Sequence, residues 1–274
     1  MDRRNFVKII VCIKQVPATQ KIGVDPQTGV LLRDGVETKM NPFDLYALET
    51  ALQIKETIGA TIAVITMGPP NAQAIIDEAY ALGADEGYLL TDRKFAGADV
   101  LATSFTLANG ISQIKDYDLI ICGKQTTDGD TAQVGPAIAE HLSIPHVSWV
   151  LNLEKYNKSE ITVRQDLGSH LALATLPYPC LITVEKDIFT PRLPSYLKKL
   201  AAAKRQTTIL TLNDLVIKDE NRYGLAGSPT QVERIFEPTK DTSTKEYTGS
   251  SEELSKILYQ ELINLKFLKG GEQR

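Results

Sequence analysis

Cysteine is scarce in this chain. Its three residues, Cys12, Cys122 and Cys180, are far apart and odd in number. That argues against a disulfide framework or a cysteine metal knot and for buried thiols in a reducing compartment. Histidine is equally thin: His141, His146 and His170 show no ligand spacing and read as surface or helix-end residues. No apolar run is long enough to cross a bilayer, so no membrane insertion is expected. The charged start, Met1 to Asn5, leads into a strand-like segment holding Lys8 and Lys14, not a clean apolar signal region. A cytoplasmic protein is expected. An excess of positive charge is also missing. A net charge of −4 and a pI of about 5.5 leave no global basic field, so nucleic acid is not an expected partner. What remains is a chain of 274 residues, 43% hydrophobic, enough for one large domain or two small ones.

One stretch organises the rest. Asp118 to Leu142 reads as a short apolar strand, a glycine-punctuated polar loop and a helix. Leu119, Ile120 and Ile121 suit a strand buried on both faces of a parallel sheet. Gly123 and Gly129 let the backbone turn tightly and approach a ligand. Asp130 is placed to cap the helix, with Gln133 completing a variant capping box. In open α/β sheets, ligands bind beyond the carboxyl ends of the strands, and a helix N-terminus there favours an anion. The loop is neither a Walker A sequence nor a Gly-x-Gly-x-x-Gly fingerprint. Asp128 and Asp130 would repel a triphosphate. Gln125, Thr126, Thr127, Thr131 and Gln133 are neutral hydrogen-bonding groups, and Lys124 is the only cation. The pattern fits an adenosine or flavin nucleotide with one or two phosphates; a polar connection without a ligand is the other reading.

Strands are expected at Val7–Ile13, Thr61–Met67 and Glu86–Leu90, with helices opening at Pro42, Ala72 and Ala98. A hairpin-like segment lies between Ile22 and Leu31. Four alternations of β and α in the first 142 residues predict an α/β fold: a doubly wound, mostly parallel, Rossmann-like sheet. Leu151–Lys155, Glu160–Asp166, Leu171–Ala174 and Cys180–Val184 are expected to form an antiparallel extension. The domain division expected is 1–187, a nucleotide-binding domain, and 188–274, a partner-recognition loop and a C-terminal arm wrapping a partner subunit. Residues 219–248 are polar and rich in Gly and Pro, with little apolar area to bury. A final helix from Glu252 carries Leu254, Ile257, Leu258, Leu262 and Leu265 on one side.

Together these segments resemble the β subunit of the electron-transfer flavoproteins over nearly the whole chain. The resemblance rests on Val11-Cys-Ile-Lys-Gln-Val-Pro17, Asp34-Gly-Val36, Met40-Asn-Pro-Phe-Asp44, Ala81-Leu-Gly-Ala-Asp85 and Gly123-Lys-Gln-x-x-Asp-Gly-Asp-Thr-x-Gln-Val-Gly-Pro136, continuing through Leu193-Pro194 and Ala201–Lys204. It implies a heterodimer with an α subunit that carries one FAD, and a second nucleotide held by this chain. Cys12, Ile13 and Lys14 would line the adenine or ribose. Asn41 and Asp44 would hydrogen-bond the nucleotide, helix capping being their other role. Met67 and Gly68 would pass near it, and Lys124, Gln125, Thr126, Thr127, Asp128, Gly129, Asp130, Thr131, Ala132, Gln133 and Val134 would supply most contacts. No acid–base catalytic residue is implied; the flavin does the chemistry.

The Asp128–Pro136 form, with Val16-Pro17-Ala18-Thr19, resembles the electron-bifurcating branch. There the second nucleotide is FAD, reduced by NADH. One electron goes to ferredoxin or flavodoxin, the other through the α-subunit FAD to a partner dehydrogenase of the acyl-CoA or another flavin type. The ordinary branch holds structural AMP instead. Phe189–Lys199 matches the family's recognition loop, with Leu193, Tyr196 and Leu197 as apolar anchors for the dehydrogenase. A nucleotide-binding sensor or scaffold module without redox work is the reading from a different class; a hydrolase on the same fold is disfavoured, since its phosphate loop would be richer in Gly and Ser.

Overall fold

Alternate residues of the first strand point into opposite cores, and this fixes the architecture. In the computed structural model, which describes residues 6–18, 37–202, 204–233 and 244–268, β1 (Val7–Cys12) sends Ile9 and Val11 to one side and Ile10 and Cys12 to the other. Both sets are buried, as in a strand covered on two faces. Contacts divide the chain into Met1–Ile235 and Phe236–Arg274.

After β1, a short antiparallel ribbon of β2 (Gln15–Pro17) and β3 (Thr38–Met40) returns the chain to α1 (Pro42–Ile58). The hairpin expected between Ile22 and Leu31, the Asp34–Val36 piece and Met1–Asn5 lie outside the described residues. Pro42 occupies the first turn of α1, where its missing N–H costs nothing, and Gly59 ends the helix at a φ of 74°. Then follow β4 (Ala60–Met67), α2 (Gln73–Leu82), β5 (Glu86–Leu90), α3 (Val100–Ile111), β6 (Leu119–Gly123) and α4 (Val134–Leu142). Next come β7 (His146–Tyr156), β8 (Glu160–Asp166), β9 (Leu171–Pro177), β10 (Cys180–Val184), α5 (Tyr196–Ala202) and β11 (Thr207–Leu210).

The main sheet has nine strands in the order β11-β5-β4-β1-β6-β10-β7-β8-β9. Leu48, Ala51, Ile75 and Ile76 of α1 and α2 pack on Ile9, Ile62, Val64 and Ile121. Phe105, Ala108 and Ile111 of α3 and Ile138 of α4 pack on Ile10, Ile65, Ile120 and Leu181. Each of the leucine, isoleucine, valine and phenylalanine side chains, fully buried, contributes roughly 1.5–3 kcal/mol. The doubly wound α/β expectation is met.

Two expectations change. β7, β8 and β9 are the antiparallel extension, but β10 is not part of it: it runs parallel to both β6 and β7, in the sheet's interior. Cys180-Leu-Ile-Thr-Val184 is buried at every position, the signature of a central strand. The start of the stretch 219–248, expected to bury little, is also packed in. β11 pairs with β5, and Tyr223 is 1% exposed, its ring 5.5 Å from Phe95 and 5.2 Å from Phe105. Leu210, Leu212 and Leu215 are buried in the same core as these rings.

In the second unit, α6 (Ser251–Asn264) starts at a full capping box between Ser250 and Glu253. No helix among the described residues is long and apolar enough to cross a membrane.

Candidate functional site

β4, β1 and β6 lie side by side, with Cys12 level with Ile65 on one neighbour and Cys122 on the other. The chain first steps from β1 towards β5, then crosses back to place β6 on β1's other side. The carboxyl ends of β1 and β6 therefore form the point where strand order reverses, the place where open α/β sheets form their ligand crevice. The residues that follow these strands are Ile13-Lys14, Gly68 and Lys124–Gln133. The N-terminus of α1 adds Asn41 and Asp44.

Asn41 does not cap its helix. Its side chain is fully buried; it donates to the carbonyl of Gln125 at 2.9 Å and accepts from the N–H of Thr127 at 3.4 Å. Asp44 accepts from the N–H of Lys14 at 2.8 Å and also from the Asn41 side chain and the N–H of Gly123. These two side chains thus tie α1 to the loops after β1 and β6. Burial pushes the Asp44 carboxyl up to about 7, against the hydrogen bonds and the Lys14 charge, which pull it down. Gly123 is required by this packing, because a Cβ there would lie 2.6 Å from Asp44 Oδ1.

The loop itself is open to solvent from Thr127 to Thr131 and at Gln133. A turn closes between the Asp130 N–H and the Thr126 carbonyl at 3.0 Å. Asp130 and Ala132 have φ values of 52° and 55°, a left-handed conformation unusual outside glycine and a mark of strain at functional loops. The expected Asp130–Gln133 cap does not form. α4 begins at Val134 with Gln133 at the N-cap position and no side-chain cap, while Asp130 bonds the Gln125 side chain. The left-handed conformations at Asp130 and Ala132 keep the connection out of the right-handed helix until Val134, leaving Asp130 too far upstream to cap.

Among the described residues, both cations of the crevice are paired with carboxylates. Lys14 Nζ lies 2.7 Å from Asp128, and Lys124 Nζ lies 2.6 Å from Glu185. Lys14 outweighs burial and holds the Asp128 carboxyl below its usual range. Lys124 also sits 4.9 Å over the ring of Trp149, a half-exposed residue with a φ of 59° whose N–H is taken by the Thr183 hydroxyl at 3.0 Å. Glu185 and Trp149 went unread in the sequence; nothing local in either marks it as a neighbour of Lys124.

Beneath the loop, Cys12 and Cys122 are buried partners, and the Cys122 thiol is raised by its hydrogen bond with Cys12 and by burial. The third thiol, Cys180, is also buried and is pushed up to about 12. Ile13 turns its side chain into the α1-side core. Met67 packs in the α3-side core, and the N–H of Gly68 bonds the Leu90 carbonyl at 3.0 Å. One residue back, the buried Thr66 hydroxyl has no hydrogen-bond partner. The other predicted contacts, Leu193, Tyr196 and Leu197, belong to the segment around α5 and are 88%, 74% and 76% exposed.

Such a site offers main-chain N–H groups and neutral side chains; its described lysines are paired with carboxylates, and Asp130 adds a further acidic group. That chemistry suits a nucleotide carrying one or two phosphates and disfavours a triphosphate.

A family model described as "Electron transfer flavoprotein domain" matches residues 28–215. The chain is 44% identical to "Electron transfer flavoprotein subunit beta" of Clostridium acetobutylicum, covering 91% of this chain and 93% of that protein. It is 43% identical to "Caffeyl-CoA reductase-Etf complex subunit CarD" of Acetobacterium woodii, covering 89% and 93%. Identity to "Protein FixA" of Sinorhizobium fredii is also 43%, over 84% of this chain and 83% of that one.

Proposed function

Since this chain belongs to the electron transfer flavoprotein family, as a beta subunit of the heterodimer, we propose that its crevice binds FAD and that the heterodimer bifurcates electrons from NADH. One electron would go to ferredoxin or flavodoxin, and the other, through the α-subunit FAD, to a partner flavin dehydrogenase. The observation that carries the nucleotide reading is the polar loop between β6 and α4, rich in neutral hydrogen-bonding groups, beside which Lys14 and Lys124 already have carboxylate partners. Lys124–Val134 would hold the phosphates through main-chain N–H groups. Cys12 to Lys14 and Met67-Gly68 would line the adenosine, and Asn41 with Asp44 would hold the walls in place.

When bound, the flavin supplies one- and two-electron chemistry that no side chain here provides. The chain's own part is to bind, orient and shield. The Asp128–Pro136 form favours FAD over AMP, and the relative named for a caffeyl-CoA reductase complex makes an enoyl-type acyl-CoA reductase one candidate partner. Within residues 188–274, the C-terminal arm with its amphipathic α6 would wrap the α subunit, and Leu193, Tyr196 and Leu197 would dock on the dehydrogenase. Purification with the α subunit tests the reading. Two flavins per heterodimer are expected. One flavin plus AMP would return the protein to the ordinary carrier branch, and no nucleotide in this chain would favour a scaffold module.

A further inference from the structure

Between β10 and α5 the chain makes an irregular loop, 185–195, that presents Leu193 almost fully to solvent. One residue earlier, Arg192 is held with unusual completeness. Its main-chain N–H and its Nε reach Glu49 Oε2 at 3.2 and 2.9 Å, its Nη2 reaches Glu49 Oε1 at 2.8 Å, and its Nη1 reaches Glu56 Oε1 at 2.5 Å. Glu49 and Glu56 lie two turns apart on α1. The Glu49 side chain is only 3% exposed, and its other partner is Gln53 of the same helix. Burial alone would raise the Glu49 carboxyl; the Arg192 hydrogen bonds outweigh it and hold it below its usual range.

A buried carboxylate in an amphipathic helix serves no packing purpose, and without its guanidinium it would be an uncompensated charge. Its presence makes departure of the loop costly. On the far side of the apolar residues, Lys198 Nζ donates to the Leu82 carbonyl at the end of α2 at 3.2 Å. Leu193, Tyr196 and Leu197 therefore lie between two fixed posts. Because Arg192 is tied by its main chain as well as its fork, the Cα of Leu193 is only about 3.8 Å from a fixed point.

We propose that Arg192 is a positioning residue for partner docking: clamped by Glu49 and Glu56, it holds Leu193 in its outward pose before the dehydrogenase arrives. The proposal rests on the docking role given above to Leu193, Tyr196 and Leu197. Arg192 does not itself touch the partner. Its effect is to remove the ordering cost of the loop from the binding step, and one or two side chains' worth of ordering corresponds to about a tenfold change in affinity. Lysine cannot substitute, since it lacks the planar fork that spans both oxygens of Glu49 and still reaches Glu56.

The test uses the intact heterodimer carrying R192K, E49Q or, as a control on docking itself, L193A. Hydrogen exchange of residues 190–195 is measured together with electron delivery from the chemically reduced heterodimer to an acyl-CoA dehydrogenase. R192K and E49Q are expected to speed exchange in the loop and to raise KM for the dehydrogenase about tenfold, leaving kcat, flavin content and reduction of a small dye unchanged. Lower thermal stability with unchanged exchange and KM would mean a structural ion pair only and would overturn the latch. If L193A raises KM while R192K does not, docking stands and the latch falls. If L193A leaves KM unchanged, the docking reading itself fails, and the latch with it.

Discussion

Lys14 bonds both oxygens of Asp128, at 2.7 and 2.8 Å, and so bridges the loop after β1 to the loop after β6 across the mouth of the crevice. The pair is partly exposed on both sides, and pairs of that kind contribute about 0–1 kcal/mol to stability. Its removal should therefore be felt in binding. We expect Asp128→Ala with Gln133→Ala to leave the melting temperature nearly unchanged and to empty this chain's site while the α-subunit flavin stays. Flavin and AMP counts after denaturation provide the check; retention of both nucleotides would remove these residues from the site.

Asp44 gives the pH dependence a definite sign. An unfolded aspartate titrates near 3.9, whereas here burial lifts the carboxyl to about 7. Between those values the folded chain keeps a proton that the unfolded chain has released. The stability linked to Asp44 is thus fully present below about pH 4 and is lost as pH rises through about 7. Asp44→Asn cannot titrate. The difference in unfolding free energy between the native and variant proteins should drift against the native protein from about pH 4 to about pH 8, by an amount on the order of a few kcal/mol. Parallel curves from denaturant titrations across that window would contradict this.

Two glycines, Gly123 at the end of β6 and Gly129 in the loop that follows, should behave oppositely. At Gly123 a Cβ would meet Asp44 Oδ1 at 2.6 Å and the Phe43 carbonyl carbon at 2.7 Å, the latter backbone that cannot step aside. Gly123→Ala should cost about 1–3 kcal/mol, typical of overpacking. At Gly129 the nearest atom is the Thr126 hydroxyl at 3.2 Å, so Gly129→Ala should change stability by less than about 0.5 kcal/mol. Thermal unfolding of the two variants side by side decides it.

For Asn41→Ala, the Gln125 carbonyl and the Thr127 N–H lose their side-chain partner together. A cost of about 1–3 kcal/mol is expected for polar groups stripped of partners at a buried position. Exchange of the loop amides should also quicken, measurable by hydrogen–deuterium exchange of residues 124–133. If only stability falls and exchange does not change, Asn41 would be a packing residue and not a tether.

Much of this was legible in the sequence because short apolar runs and glycine stops are local signals. β1, β4, β5, β6, α1 and α2 all came from such runs, closed by Gly59 and Gly83. β10 did not read correctly, because neighbouring strands in the chain suggested a meander while its partners, β6 and β7, are chosen by burial on both faces. Asp130 misled for a similar reason: Asp-x-x-Gln is a local capping pattern, but left-handed residues at 130 and 132 delay the helix to Val134. Glu185 lies 61 residues from Lys124, and Glu49 lies 143 from Arg192, so no spacing rule could pair them.

The run from β10 to β11 starts in the middle of the sheet and ends at its far edge beside β5, so it bridges over four intervening strands like a handle on a lid. Both ends are sewn into the sheet, and its first residue, Glu185, is the carboxylate that pairs Lys124 of the crevice. On the docking role proposed above, residues 186–206 are free to change with the redox partner while Glu185 stays to pair Lys124, and a graft of that handle between relatives should carry partner choice with it.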